Sequence, residues 1–166
     1  IEGLGASGEV TLDPAAPQLG VYLNNGSWSK FEWYLNIDFS MGEAAANADG
    51  SRTYPCSLRL SNAMTPEELE ASNAVITGGN PAKQSEDDML EVLNLYAPAG
   101  GRIEVVSSNG QFVFADDKTY RGLQVVCGEA HVQIGAPAEI TFNVTVSPEA
   151  AQELSVRIPP TVQDCR

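Results

Sequence analysis

Apolar and polar residues alternate along most of this chain with a period of two, the repeat that turns successive side chains to opposite faces of a strand. The pattern predicts strands over EVTL (9–12), GVYLNN (20–25), KFEWYLNIDFSM (30–41), TYPCSLRLSN (53–62) and MLEVLNLYAP (89–98). It predicts further strands over RIEVVSS (102–108), QFVFAD (111–116), GLQVVCGEAHVQI (122–134), EITFNVTVS (139–147) and LSVRI (154–158). In the third of these, Phe31, Trp33, Leu35 and Ile37 fall on one face, while Glu32, Tyr34, Asn36 and Asp38 fall on the other. An apolar row at period two reads as core, so Trp33 and Phe31 are expected inside. Pro55 lacks an N–H for a ladder and predicts an edge position or a bulge. Asn109-Gly110 between two apolar runs predicts a hairpin.

Helical signals are few. Thr65, Pro66 and Glu68 carry a cap, a first-turn proline and an acid three residues on, which predicts a two-turn helix over TPEELEAS. PEAAQ (148–152) offers one more turn, and VITGGNPAKQSEDD (75–88) reads as a mobile polar loop. Short strands separated by turn residues, in a chain of 166 residues, predict one all-β domain over 1–166. The expected layout is a two-sheet antiparallel sandwich, Ig-like or jelly-roll, with one or two short helices.

Composition narrows the partners. The formal net charge is −13, with nine Lys and Arg against 22 Asp and Glu. Such a chain repels nucleic acid and anionic lipid, and the charge itself reads as solubility. No run approaches the roughly 18 apolar residues that span a bilayer, so any membrane attachment is expected through an upstream anchor. The opening IEGLGASGEV reads as the start of a fragment, or of a mature exported form.

Candidate chemistry is sparse. The single histidine, His131, shares the polar face of its strand with Gln133 and is expected at the surface. No G-x-S-x-G elbow is present, since GASGE (5–9) lacks the closing glycine. ANADGS (46–51) fails as a calcium loop because Ala45 and Cys56 fall where ligands belong, whereas SEDD (85–88) and ADDK (115–118) only offer oxygens in loops. The three cysteines, Cys56, Cys127 and Cys165, lack zinc spacing. Cys56 and Cys127 alternate in step with apolar neighbours, so a Cys56–Cys127 bridge between packed sheets is one expectation, a pair of buried thiols another, and Cys127–Cys165 a third. No catalytic residue, metal or cofactor is expected. Trp28, in the turn NGSWSK, lies off the apolar row and is the aromatic expected to touch a partner, together with Tyr34 and the loop residues Asn80 and Asp87.

Four stretches in order carry a resemblance: GEVTLDPAAPQLGVYLNNGSWSKFEWYLNIDFSMG, GSRTYPCSLRLSN, VITGGN and LNLYAPAGGRIEVVSSNG. With YRGLQVV further on, the chain resembles the C-terminal β-rich portion of a large family of actinobacterial membrane-anchored envelope proteins whose domain has no assigned function. The shared motifs are structural, and Val75 stands where the family tends to carry a tyrosine. The resemblance implies an extracytoplasmic, non-enzymatic accessory domain at the cell envelope, structural or adhesive. A module that binds cell-wall glycan is the first alternative, and a fragment of a wall-polymer-acting enzyme the second. The implied partners are wall glycan or another envelope protein.

Overall fold

The computed structural model describes residues 10–158, and its elements are strands packed as two sheets. The strands are β1 (Gln18–Asn25), β2 (Leu35–Met41), β3 (Ala45–Ala46), β4 (Arg52–Asn62), β5 (Met89–Tyr96), β6 (Arg102–Ser108), β7 (Phe112–Phe114), β8 (Lys118–Tyr120), β9 (Leu123–Val132), β10 (Ala138–Val146) and β11 (Ser155–Arg157). Sheet A runs β11-β1-β5-β9-β7, with β8 also on β9; sheet B runs β2-β4-β10-β6, with β3 also on β4. Among the described residues, the named strands all pair antiparallel except β1 with β11. The result is the all-β sandwich that the period-two pattern predicts.

The core lies between the sheets. Leu19 and Val21 from β1, Leu93 and Leu95 from β5, and Val126, Ala130 and Val132 from β9 meet Leu58 and Leu60 from β4 and Ile140, Phe142 and Val144 from β10. Each set lies on alternate positions of its strand, with Gly128 between Val126 and Ala130, so one face of each strand is removed from water. At one end of the sandwich Glu153 accepts hydrogen bonds from Arg52 and Tyr54, tying the segment before β11 to β4. The opposite end carries the connections 26–34, 63–88, 109–111 and 133–137.

Several expectations change. The stretch 30–41 is not one strand: Phe31–Tyr34 form a 3-10 helix and β2 starts at Leu35. The helix breaks the two-residue alternation, so Phe31 is buried while Trp33 is 55% exposed. Residues 10–12 of the first expected strand are not in a sheet. Asn109-Gly110 makes no hairpin, because β6 belongs to sheet B and β7 to sheet A. The Asn109 side chain instead donates to the Pro137 carbonyl and accepts from the Glu139 N–H, holding a crossing between sheets. Pro55 sits in a strand flanked on both sides, but opposite the interruption between β2 and β3, where its carbonyl takes the Gly42 N–H and no N–H is required of it.

The expected helix is α1 (Pro66–Glu70), with both halves of the Thr65–Glu68 capping box formed. A second, α2 (Ala74–Thr77), is capped by the Asn73 side chain. The Cys56–Cys127 bridge is not formed, and both thiols are free. Cys56 belongs to the core, whereas Cys127 lies on the face of β9 turned away from it, out of phase with Val126 and Ala130. Alternation had placed each cysteine correctly among its neighbours; it could not say that Leu123 and Val125 line the outer face of their sheet. Cys165 lies outside the described residues.

Candidate functional site

The connections at the 26–34 end carry both tryptophans of the chain. Trp28 is 70% exposed and Trp33 is 55% exposed, with Val75 of α2 exposed nearby. The carbonyl of Val75 takes the Lys30 N–H at 3.2 Å, which brings α2 against the tryptophan-bearing segment. Trp28 has φ 59, a left-handed backbone conformation that is an outlier for a bulky aromatic residue. An exposed tryptophan held in a strained conformation contributes nothing evident to the core.

The segment is held from below. Ser27 is fully buried, and its Oγ accepts the Leu90 N–H at 2.8 Å, while the Gly26 N–H donates to the Leu90 carbonyl. Gly78, at φ 79, lies so close to Ser27 that a Cβ there would stand 1.9 Å from the Ser27 carbonyl oxygen. Only glycine fits this approach, which gives the TGG stretch a structural reason. Asn80 Nδ2 donates to the Gly26 carbonyl at 2.6 Å. Lys83 Nζ sits 5.3 Å from the centroid of the Phe31 ring and donates to the carbonyls of Thr77 and Glu86. Burial pulls the Lys83 ammonium below its ordinary range, against the opposing field of Asp88, Glu86 and Asp87.

The loop 78–88 is therefore laced to its surroundings rather than being the free excursion its composition predicts. Asp87 accepts from Ser85 Oγ at 2.6 Å and from the Ile134 N–H at 3.1 Å, so its carboxylate is committed within the fold. Of the residues nominated from sequence, Trp28 presents a surface, Tyr34 is half-buried against the core, and Asn80 and Asp87 serve as pins. Trp33, assigned to the core by alternation, joins Trp28 in solvent.

Two buried ionisable groups lie beneath this end. His131 is 5% exposed, not a surface residue, because Asp88 folds over the outer face of β9 to meet it. Its Nδ1 lies 2.7 Å from Asp88 Oδ2, which also accepts the Gln84 N–H at 2.8 Å. Glu91 is 1% exposed on the core face of β5, and neither carboxylate oxygen has a partner. Burial, and secondarily the charge of Glu32, push its carboxyl up to about 9. Neither group was foreseen as buried; a Glu among alternating apolar residues at MLEVLNL was the available signal.

Elsewhere, the outer face of sheet A holds a shallow groove of about 350 Å³ lined by Val92, Asn94, Phe114, Lys118, Cys127 and Glu129. The Cys127 thiol donates to Asn94 Oδ1 at 3.3 Å. Among the described residues, no group of three or more His, Cys, Asp or Glu side chains is placed to hold a metal ion. No described helix is long and apolar enough to cross a membrane. Compared with known proteins, the chain matches no family model, no curated protein and no solved structure.

Proposed function

We propose that this domain is a binding module for cell-wall glycan, displayed outside the cell, with Trp28 and Trp33 as its contact surface. The carrying observation is that both tryptophans stand in solvent on one segment, 70% and 55% exposed. Aromatic rings offer sugar rings a large apolar face at little cost in side-chain entropy. The hydrogen bonds that Ser27 accepts from Leu90 and that Asn80 donates to Gly26, with the Lys83 ammonium over the Phe31 ring, hold that segment in place before any ligand arrives, which lowers the ordering cost of binding. The strain at Trp28 fits a residue retained for contact rather than for stability. The envelope location rests on the sequence resemblance, and the accessory role it implies is compatible with this surface: a domain that grips the wall can anchor a larger protein there.

The test is co-sedimentation with purified actinobacterial cell walls, together with titration by soluble wall fragments followed through tryptophan fluorescence. Saturable binding is expected, weakened at least about tenfold in Trp28→Ala and in Trp33→Ala, the equivalent of about 1.4 kcal/mol per ring. Absence of binding, or variants that bind as well as the parent, overturns the glycan reading and leaves protein docking as the adhesive role.

A further inference from the structure

The groove on the outer face of sheet A is built by strand register. Val92 of β5, Glu129 of β9 and Val113 of β7 stand in one row across the sheet. Asn94 and Cys127 stand in the next, and Lys118 of β8, opposite Val125, closes a third. Paired residues turn their side chains to the same face, so these groups meet around one hollow of about 350 Å³. That volume falls within the roughly 300–1,000 Å³ of small-ligand sites.

The floor offers a hydrogen bond. Asn94 is half-buried, and its Oδ1 accepts the Cys127 thiol, which leaves Nδ2 without a partner among the described residues. The ends carry opposite charges. Lys118 and Glu129 both line the groove and both are exposed. Among the described residues neither side chain takes part in an ion pair, with the other or with a third group. Val125, which Lys118 faces, precedes Glu129 by four residues on β9, about 13 Å along an antiparallel strand. Val92, Val113 and Phe114 supply an apolar wall, and Val113 is 56% exposed.

The ligand class follows from what these groups leave unanswered. A simple anion is repelled by Glu129, a simple cation by Lys118, and a neutral sugar answers neither charge. A zwitterion answers both. A single amino acid is too short to bridge the two ends, whereas an extended peptide runs about 3.5 Å per residue. Two or three residues fill the gap once the Lys118 and Glu129 side chains reach inward.

We propose that this groove binds a dipeptide or tripeptide with both termini free. Its carboxylate lies against Lys118 Nζ and Asn94 Nδ2, its ammonium against Glu129, and an apolar side chain on Val92, Val113 and Phe114. None of these residues belongs to the tryptophan-bearing segment, so the site stands or falls independently of the glycan reading. The experiment is an amide NMR titration of isotope-labelled protein with alanyl-leucine and alanyl-alanyl-leucine, and with the N-acetylated and C-amidated forms of each. Saturable shifts are expected at Asn94, Lys118, Cys127 and Glu129, with a Kd on the order of 1 mM. Lys118→Gln and Glu129→Gln change exposed side chains, so both fold, and each should weaken the free peptides about three- to fivefold. Acetylation should weaken binding to the parent by the same factor and cost nothing more in Glu129→Gln. Amidation should behave in the same way toward Lys118→Gln. No saturable shift with either free peptide up to about 10 mM overturns the site. So do shifts confined to residues outside the groove, or capped peptides that bind the parent as tightly as free ones.

Discussion

Glu91 makes the stability of this domain depend on pH in an unusual direction. Its carboxyl titrates near 9 in the fold and near 4.5 as a free side chain. Between those values the folded state holds a proton that the unfolded chain has released. Stability therefore falls as pH rises, by about 1.4 kcal/mol per unit. It is fully present below about pH 4.5 and the loss is complete above about pH 9. From about pH 5.5 to about pH 8.5 the loss is on the order of 4 kcal/mol, a large share of the 5–15 kcal/mol that typically holds a domain together. The perturbation is Glu91→Gln, which resembles the protonated acid at every pH. Urea unfolding of both proteins in EDTA, at a series of pH values, gives their difference and cancels every other titrating group. The advantage of the variant over the parent should grow by about 4 kcal/mol from the acidic to the alkaline end. Parallel pH profiles, or a variant less stable at about pH 8.5, would refute the reasoning by showing that Glu91 is ionised and satisfied in the fold.

Three further outcomes are expected. Trp28→Gly should leave stability unchanged or raise it by about 1 kcal/mol, because glycine accepts the φ of 59 without strain and little buried surface is lost; urea unfolding checks this. Asp88→Ala removes the acceptor of His131 Nδ1 and of the Gln84 N–H from a fully buried position and should cost about 3 kcal/mol, read as a drop in Tm. The Cys56 thiol, pushed up to about 11 by burial, should resist iodoacetamide in the native protein and react once the chain is unfolded in denaturant.

The sandwich was legible because its signal is redundant. Strands such as Ile140, Phe142 and Val144 repeat the same alternation over a whole face, and each repeat is removed from water by the same sheet-on-sheet packing. The candidate site was far less legible, and for one physical reason: it is built where alternation stops. Trp33 follows Phe31 at the right spacing for a strand, but a single turn of 3-10 helix rotates it into solvent. His131 is on the polar face of β9 as the pattern says, yet that face is covered by Asp88 arriving from a loop distant in sequence. The pins Asn80 and Asp87 look like any polar loop residues until their partners at Gly26 and Ile134 are known. Cys127 shows the same limit for faces: local pattern tells which neighbours share a side, but not which side meets the other sheet.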